Sequence, residues 1–382
     1  MPTSIWNSYV VHVLDIRKNL SNALGWCTNR KIIVFESDDW GSIRTHSKAA
    51  YNQMHRQGLE LDRSNFTRYD ALEANLDLEN LFETLVAHKD TTGRHPVFTP
   101  MGIVANPDFD RIEASNYSEY HFESFIDTCK RYPAHDMVGE LWQTGIRERL
   151  FVPQLHGREH LNAAKWMQAL KSGNEGLRAA FNHQSIGGSW YKGERLPEYL
   201  AAFDPQIPAD IPSYESIIKD AGKLFHETCG YKPRYFISSN KPEPKSLETH
   251  LKAIGVEYLT RYKLHRYPLG NGKYSRQFNW LGKRNKLGQL YLTRNAGFEP
   301  TSFNNIDWVS SCLNEIDIAF RWKKPAIISS HRVNYVGYIE PMNAANGLNK
   351  LDLLLSSIIK KWPEVEFLTS EELGRIIETE YE

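Results

Sequence analysis

Seven or eight times along this chain a short apolar, β-branched run is followed by a segment whose apolar residues recur at helical spacing. The runs include KIIVFES, HPVFTPMGI, RLFVPQLHG, PRYFISS, VEYLT, QLYLTRNAGF, PAIISSH and VEFLT. Parallel strands need a crossover connection, and a helix is the usual one. GxGxxG and GxxxxGK[ST] occur nowhere in the chain, which argues against nucleotide-binding versions of this alternation. The reading that remains is an α/β chain folded as an irregular (β/α) barrel of seven or eight strands. We read 1–382 as a single domain, with an N-terminal helical cap over about 1–28 and a helix from Ser8 to Leu24. Loop insertions are expected at about 45–70, 110–147 and 174–211, the last as a long substrate loop.

In a parallel barrel the carboxyl ends of the strands meet at one mouth, where chemical groups collect. Three of these ends carry such groups. KIIVF runs into Ser37, Asp38 and Asp39. Two like charges at the mouth of a buried strand are disfavoured by repulsion and desolvation unless a cation compensates one of them. RLFVPQL runs into His156, with His160 four residues on, near the expected start of a helix. Two imidazoles and one carboxylate make a facial three-ligand set that leaves coordination positions open. PAIIS ends at His331, followed by Arg332, which is expected to pair with an acidic neighbour.

Other groups follow the expected strands. Asn106 and Asp108 come after the second one, and Arg294, Asn295 and Glu299 after a late one. Asn106, Asp108, Asn240, Arg294 and Glu299 are candidates for substrate contact, and Arg294 or Glu299 for orienting His331. Trp40 and Trp190 are candidate stacking platforms, since indole rings pack on the C–H faces of sugars. Aromatic residues make up 12% of the chain.

The ordered set of Asp-Asp, His-x-x-x-His and a final strand-end His resembles the polysaccharide deacetylase family, the NodB-like carbohydrate esterases. The resemblance spans most of the chain, with long insertions between motifs, and implies a barrel of the glycoside hydrolase and deacetylase type. It implies one divalent metal ion, zinc before cobalt, manganese or nickel, held by Asp39, His156 and His160. It implies Asp38 as the catalytic base and His331 as the catalytic acid. It implies removal of N- or O-acetyl groups from a sugar or polysaccharide precursor. The chain departs from the family pattern at Ser37, Gly157 and after RYFISS, where no arginine stands in register and Asn240 and Lys241 are the nearest polar groups. Asp307-Trp308 echoes a family pair that precedes the last histidine. Two other readings of the residues stay open. One is a glycoside hydrolase using Asp38 and Glu299 as acid and nucleophile, and the other is a glycan-binding protein without turnover.

Lys and Arg number 46, as do Asp and Glu, so the net charge of zero argues against nucleic-acid or membrane-surface partners and leaves a carbohydrate substrate. No apolar run reaches about 18 residues, the length that crosses a bilayer. YVVHVL near the start is too short for a signal peptide, so a cytoplasmic location and a cytoplasmic substrate are expected. Cys27, Cys129, Cys229 and Cys312 are widely spaced and expected to be free thiols. Oligomeric state is not readable from these residues.

Overall fold

A computed structural model describes residues 18–302 and 305–381. Of the expected N-terminal helix, Ser8–Leu24, the part before residue 18 lies outside the described residues, and 18–21 is helical. The central sheet is parallel throughout. Its strands, in chain order, are β1 (Lys31–Trp40), β2 (Phe98–Ile103), β3 (Gln154–Gly157), β4 (Tyr235–Phe236), β5 (Tyr258–Thr260), β6 (Leu290–Leu292), β7 (Ala296–Gly297), β8 (Ala326–His331) and β9 (Val365–Phe367). The order across the sheet is β6-β5-β4-β3-β2-β1-β8-β7, with β9 beside the start of β1.

β6 and β7 stand at opposite ends of that order, yet only Thr293, Arg294 and Asn295 separate them in the chain. From Leu292 to Ala296 the backbone reaches roughly 14 Å at most. The two ends of the sheet must therefore curl back beside each other. The result is a barrel-like ring with one seam, crossed by chain rather than by strand pairing. Asn295 ties the seam to β8: its Oδ1 accepts from Ile327 N at 2.8 Å, and its N donates to Ile327 O at 3.1 Å.

Period-two alternation sorts β1 between two cores. Ile32 and Val34 point inward with Met101, Tyr235, Tyr258, Leu290 and Ile327. Ile33 and Phe35 point outward, into the larger core under the surrounding helices. The C-terminal helix Ser370–Tyr381 adds Leu373 and Ile377 to the inner core. Its start is fixed by a reciprocal cap, in which Thr369 Oγ1 accepts from Glu372 N at 3.1 Å and Thr369 N donates to Glu372 at 2.8 Å.

Several expectations are corrected. The stretch 110–147 is not irregular but holds the helices Phe109–Ala114, Phe125–Lys130 and Val138–Arg147. The stretch 174–211 holds the helix Glu175–Phe181 and a small hairpin, Trp190–Tyr191 with Glu194–Arg195. QLYLTRNAGF is broken into β6 and β7 by the seam. A hairpin, Leu264–Gly270 with Lys273–Phe278, is inserted after β5 and was not anticipated from the sequence. The four cysteines are unpaired, with Cys27 exposed and the other three buried. Among the described residues no helix is long and apolar enough to cross a membrane.

Candidate active site at the barrel mouth

β1 continues through both aspartates to Trp40 instead of ending before them. Alternation carries Glu36 and Asp38 to the inner face with Ile32 and Val34. Asp39 would then face outward. It does not, because its backbone lies in the left-handed region, φ 78°, and the register against β2 shifts between Ser37 and Trp40. A non-glycine residue seldom adopts this conformation unless its surroundings hold it there. Gly41, at φ 80°, completes the turn. A Cβ on it would lie 2.2 Å from Ile103 O, so glycine is required. Its N–H donates to both oxygens of Glu73, at 3.0 and 3.1 Å.

Asp39 meets both histidines. His156 Nε2 lies 3.4 Å and His160 Nε2 3.0 Å from Asp39 Oδ1. One ligand atom from each of the three lies within 4.8 Å of the others, and all three residues are buried. The helix expected to start near His160 begins only at Ala163, capped by Asn162. The two histidines converge through a loop that turns at Gly157, not through one turn of helix. His156 Nδ1 is 2.8 Å from Ile237 O. A carbonyl can only accept, so Nδ1 carries a proton and it is Nε2 that is turned to Asp39. An outer hydrogen bond of this kind orients histidine ligands in metal sites. Burial pushes His160 down to about 4, against the pull of Asp39, and leaves it neutral as a ligand must be. The donor set therefore fits a divalent metal.

Asp38 sits beside His331 in the β1–β8 register. Arg294, from the seam, grips both Asp38 oxygens, at 2.7 and 2.6 Å, and reaches Glu36 at 2.5 Å. Burial would raise the Asp38 carboxyl, but the charge and hydrogen bonds of Arg294 bring it below the usual carboxylate range. His331 Nε2 is 3.9 Å from Asp38 Oδ2, and its Nδ1 is 2.6 Å from Glu299 Oε1. Burial would lower His331; the charge and hydrogen bond of Glu299, with Asp38 and Asp39 adding, override it and raise the imidazole to about 10. Glu299 also accepts from Asn334 at 2.7 Å.

These groups line a cavity of about 510 Å³. Asp38, Asp39, His156, His160, Arg294, His331 and Asn240 all border it, and Glu299 stands behind His331. Three proposed substrate contacts are corrected. Trp40 is wholly buried, edge-on to Phe151 with its N–H on Ser37, because the turn at Asp39 sends it into the outer core. Asn106 is buried, donating to Gly41 O and accepting from Ile43 N, and so pins the loop after β1. Trp190 lies under Arg63, 4.1 Å from its guanidinium, in the small hairpin outside the cavity lining. Asp108 caps the helix Phe109–Ala114, and Asp307 caps Trp308–Arg321 while the Trp308 N–H bonds Ser302.

Sequence reasoning missed two groups. Glu36, fully buried one layer below Asp38, accepts from Tyr235 at 2.6 Å and Ser370 at 2.7 Å. Period-two alternation from Asp38 would have found it. Arg44 lies between Asp39 and Asp70, at 3.4 and 3.3 Å, and its Nη2 is 3.5 Å from His160 Nδ1. Behind it Arg332, wholly buried, binds Asp70 at 3.0 Å and Glu73 at 2.8 Å. No local pattern marks Arg44; only the fold brings it in.

No protein-family model matches this sequence, and no curated protein matches it. Solved structures similar to it include a putative polysaccharide deacetylase from Mycobacterium smegmatis, at 9% identity and TM-score 0.45, covering 94% of each chain. Another is PuuE allantoinase, at 10% identity and TM-score 0.45, covering 92% of this chain and 91% of that one. A third is a probable polysaccharide deacetylase from Pseudomonas aeruginosa PAO1, at 9% identity and TM-score 0.45, covering 91% of each. At these values substrate and chemistry must be read from this chain's own residues.

Proposed function

We propose that this protein is a metal-dependent hydrolase that removes an N- or O-acetyl group from a sugar or polysaccharide precursor. The observation that carries the reading is the buried convergence of Asp39, His156 and His160, with Nε2 of His156 turned to the carboxylate by the Ile237 carbonyl on Nδ1. Asp39, His156 and His160 would hold the ion, zinc before cobalt, manganese or nickel. A bound divalent ion there supplies Lewis-acid polarisation of an acyl carbonyl and acidification of water. Asp38, kept ionised by Arg294, takes the proton of the attacking water. His331, kept protonated by Glu299, gives a proton to the departing amine or alkoxide. Arg294 stands in for the arginine that is absent after RYFISS and reaches the base from the seam instead. The carboxylate-pair glycosidase is disfavoured, since Arg294 occupies both oxygens of Asp38 while His331 and Asn334 occupy those of Glu299.

The test is metal content by plasma mass spectrometry beside acetate release from acetylated oligosaccharides. About one transition-metal ion per chain is expected, lost in His156→Ala. A wild-type protein that stays metal-free after incubation with zinc, cobalt or manganese would end this reading.

The pH dependence has a definite sign. The acid must be protonated, so turnover should fall as pH rises through about 10, the value to which Glu299 lifts His331. Glu299→Gln removes that charge and should move the alkaline limb toward the ordinary imidazole range near pH 6.5. An unmoved limb would show that Glu299 does not position the acid.

A further inference from the structure

The chain is neutral overall, but its charge is not evenly spread. Between Tyr258 and Phe298 there is no Asp or Glu, while Lys and Arg stand at 261, 263, 266, 273, 276, 283, 284, 286 and 294. Of these only Arg261, Arg284 and Arg294 pair with carboxylates among the described residues. The segment contains the hairpin inserted after β5.

Its register puts Leu264 opposite Phe278, Arg266 opposite Arg276, and Pro268 opposite Tyr274, all on one face. That face is exposed: Leu264, Tyr274 and Phe278 keep 58%, 39% and 50% of their surface. Two arginines directly across a strand pair repel each other, and here no carboxylate lies between them. Rings and guanidinium groups alternate along the face, and Arg266 packs over Tyr274 at 4.2 Å.

The hairpin also borders a cleft of about 280 Å³ lined by Lys241, Tyr262, His265, Arg266 and Tyr274, among others, with no acidic residue in its lining. Lys241 and Tyr262 line the active-site cavity as well, so the two are adjacent. Lys241 itself packs over Tyr262 at 5.0 Å. His265, only 3% exposed, has no hydrogen-bond partner for either ring nitrogen among the described residues. A buried imidazole with both nitrogens unpaired is costly, so the base of the hairpin carries strain beside the cleft.

We infer that the cleft and the cationic face of the hairpin form a binding track for an anionic glycan, one that presents carboxylate or sulfate groups beside the sugar to be deacylated. Guanidinium groups bind such anions through paired N–H donors, and tyrosine rings stack on the sugar faces between them. A nucleic acid or an anionic membrane would also meet positive charge here. A glycan is favoured because the track adjoins the cavity that holds the proposed hydrolytic groups.

The inference rests on the hydrolase reading for the identity of the ligand, but its test does not need turnover. Binding of fluorescently labelled hexagalacturonate, a heparin-derived hexasaccharide and neutral maltohexaose is measured by thermophoresis at low and high salt. The protein is the full chain, either unaltered or carrying His156→Ala. At least one acidic probe should bind at least tenfold more tightly than maltohexaose, weaken with salt, and bind His156→Ala equally well. The double variant Arg266→Glu with Arg276→Glu should lose at least tenfold in affinity, while Arg147→Glu, outside the track, should not. No affinity for either acidic probe would overturn the inference, whatever acetate release shows. So would equal binding of maltohexaose, or tighter binding of a single-stranded oligonucleotide or of phosphatidylglycerol vesicles. Acidic-probe binding without acetate release would sink the hydrolase reading alone and leave the track standing.

Discussion

Asp38→Asn should lower kcat for acetate release by about 10²–10⁴, the usual worth of a positioned general base. Its metal content should be unchanged, since Asp38 lies outside the three-ligand set. The fold should also survive, because Glu36 still compensates Arg294 once the Asp38 charge is gone. The substitution is close to isosteric, and the amide can still accept one hydrogen bond from the guanidinium. The informative comparison is therefore a pair of numbers from one preparation, the turnover of an acetylated oligosaccharide and the ion count per chain. Low turnover with full metal supports a base. An unchanged kcat would remove Asp38 from that role, and a joint loss of metal and activity would mean that Asp38 is a ligand instead.

Arg332→Met should cost about 3–5 kcal/mol of stability, the range for removing one partner of a buried ion pair. Arg332 is wholly buried and donates to Asp70 from two nitrogens and to Glu73 from a third. Without it two carboxylates remain in the interior. Burial already raises the Asp70 carboxyl above its usual range, even with Arg332 and Arg44 opposing. Glu73 keeps only the Gly41 amide as a close donor. The cost should appear as a lower urea midpoint. It should also loosen the turn that places Asp39, because Glu73 holds Gly41. A midpoint equal to that of the wild type would show that the cluster tolerates the loss, by proton uptake or by water.

The strand ends were legible because barrel topology makes their order meaningful. Asp38, Asp39, His156, His160 and His331 follow apolar runs, and parallel pairing brings such ends to one mouth. The arginine that holds Asp38 was not assigned to it. A motif search looks after the fourth strand, whereas Arg294 arrives from the gap between β6 and β7. No local pattern in TRNAGF says that the chain closes a ring there. Trp40 was misplaced for a related reason. In a regular strand the residue two after Asp38 shares its face, but the left-handed Asp39 breaks the alternation and turns the indole outward. Asn106 looked like a turn residue facing the mouth, and the fold uses it to tie Gly41 and Ile43. The hairpin after β5 escaped notice because Pro268 and three cationic side chains, Arg266, Lys273 and Arg276, interrupt the apolar alternation by which strands are recognised.

The seam carries one more consequence. A ring closed all round by strand pairing keeps its shape if a loop is cut. This one is closed between β6 and β7 by four peptide bonds, the outermost joining Leu292 to Thr293 and Asn295 to Ala296. A protease nick within that link would let the two ends of the sheet part, since no strand pairing holds them together. It would also free the backbone that carries Arg294. For this protein, the closure of the ring and the grip on Asp38 depend on the same short tether.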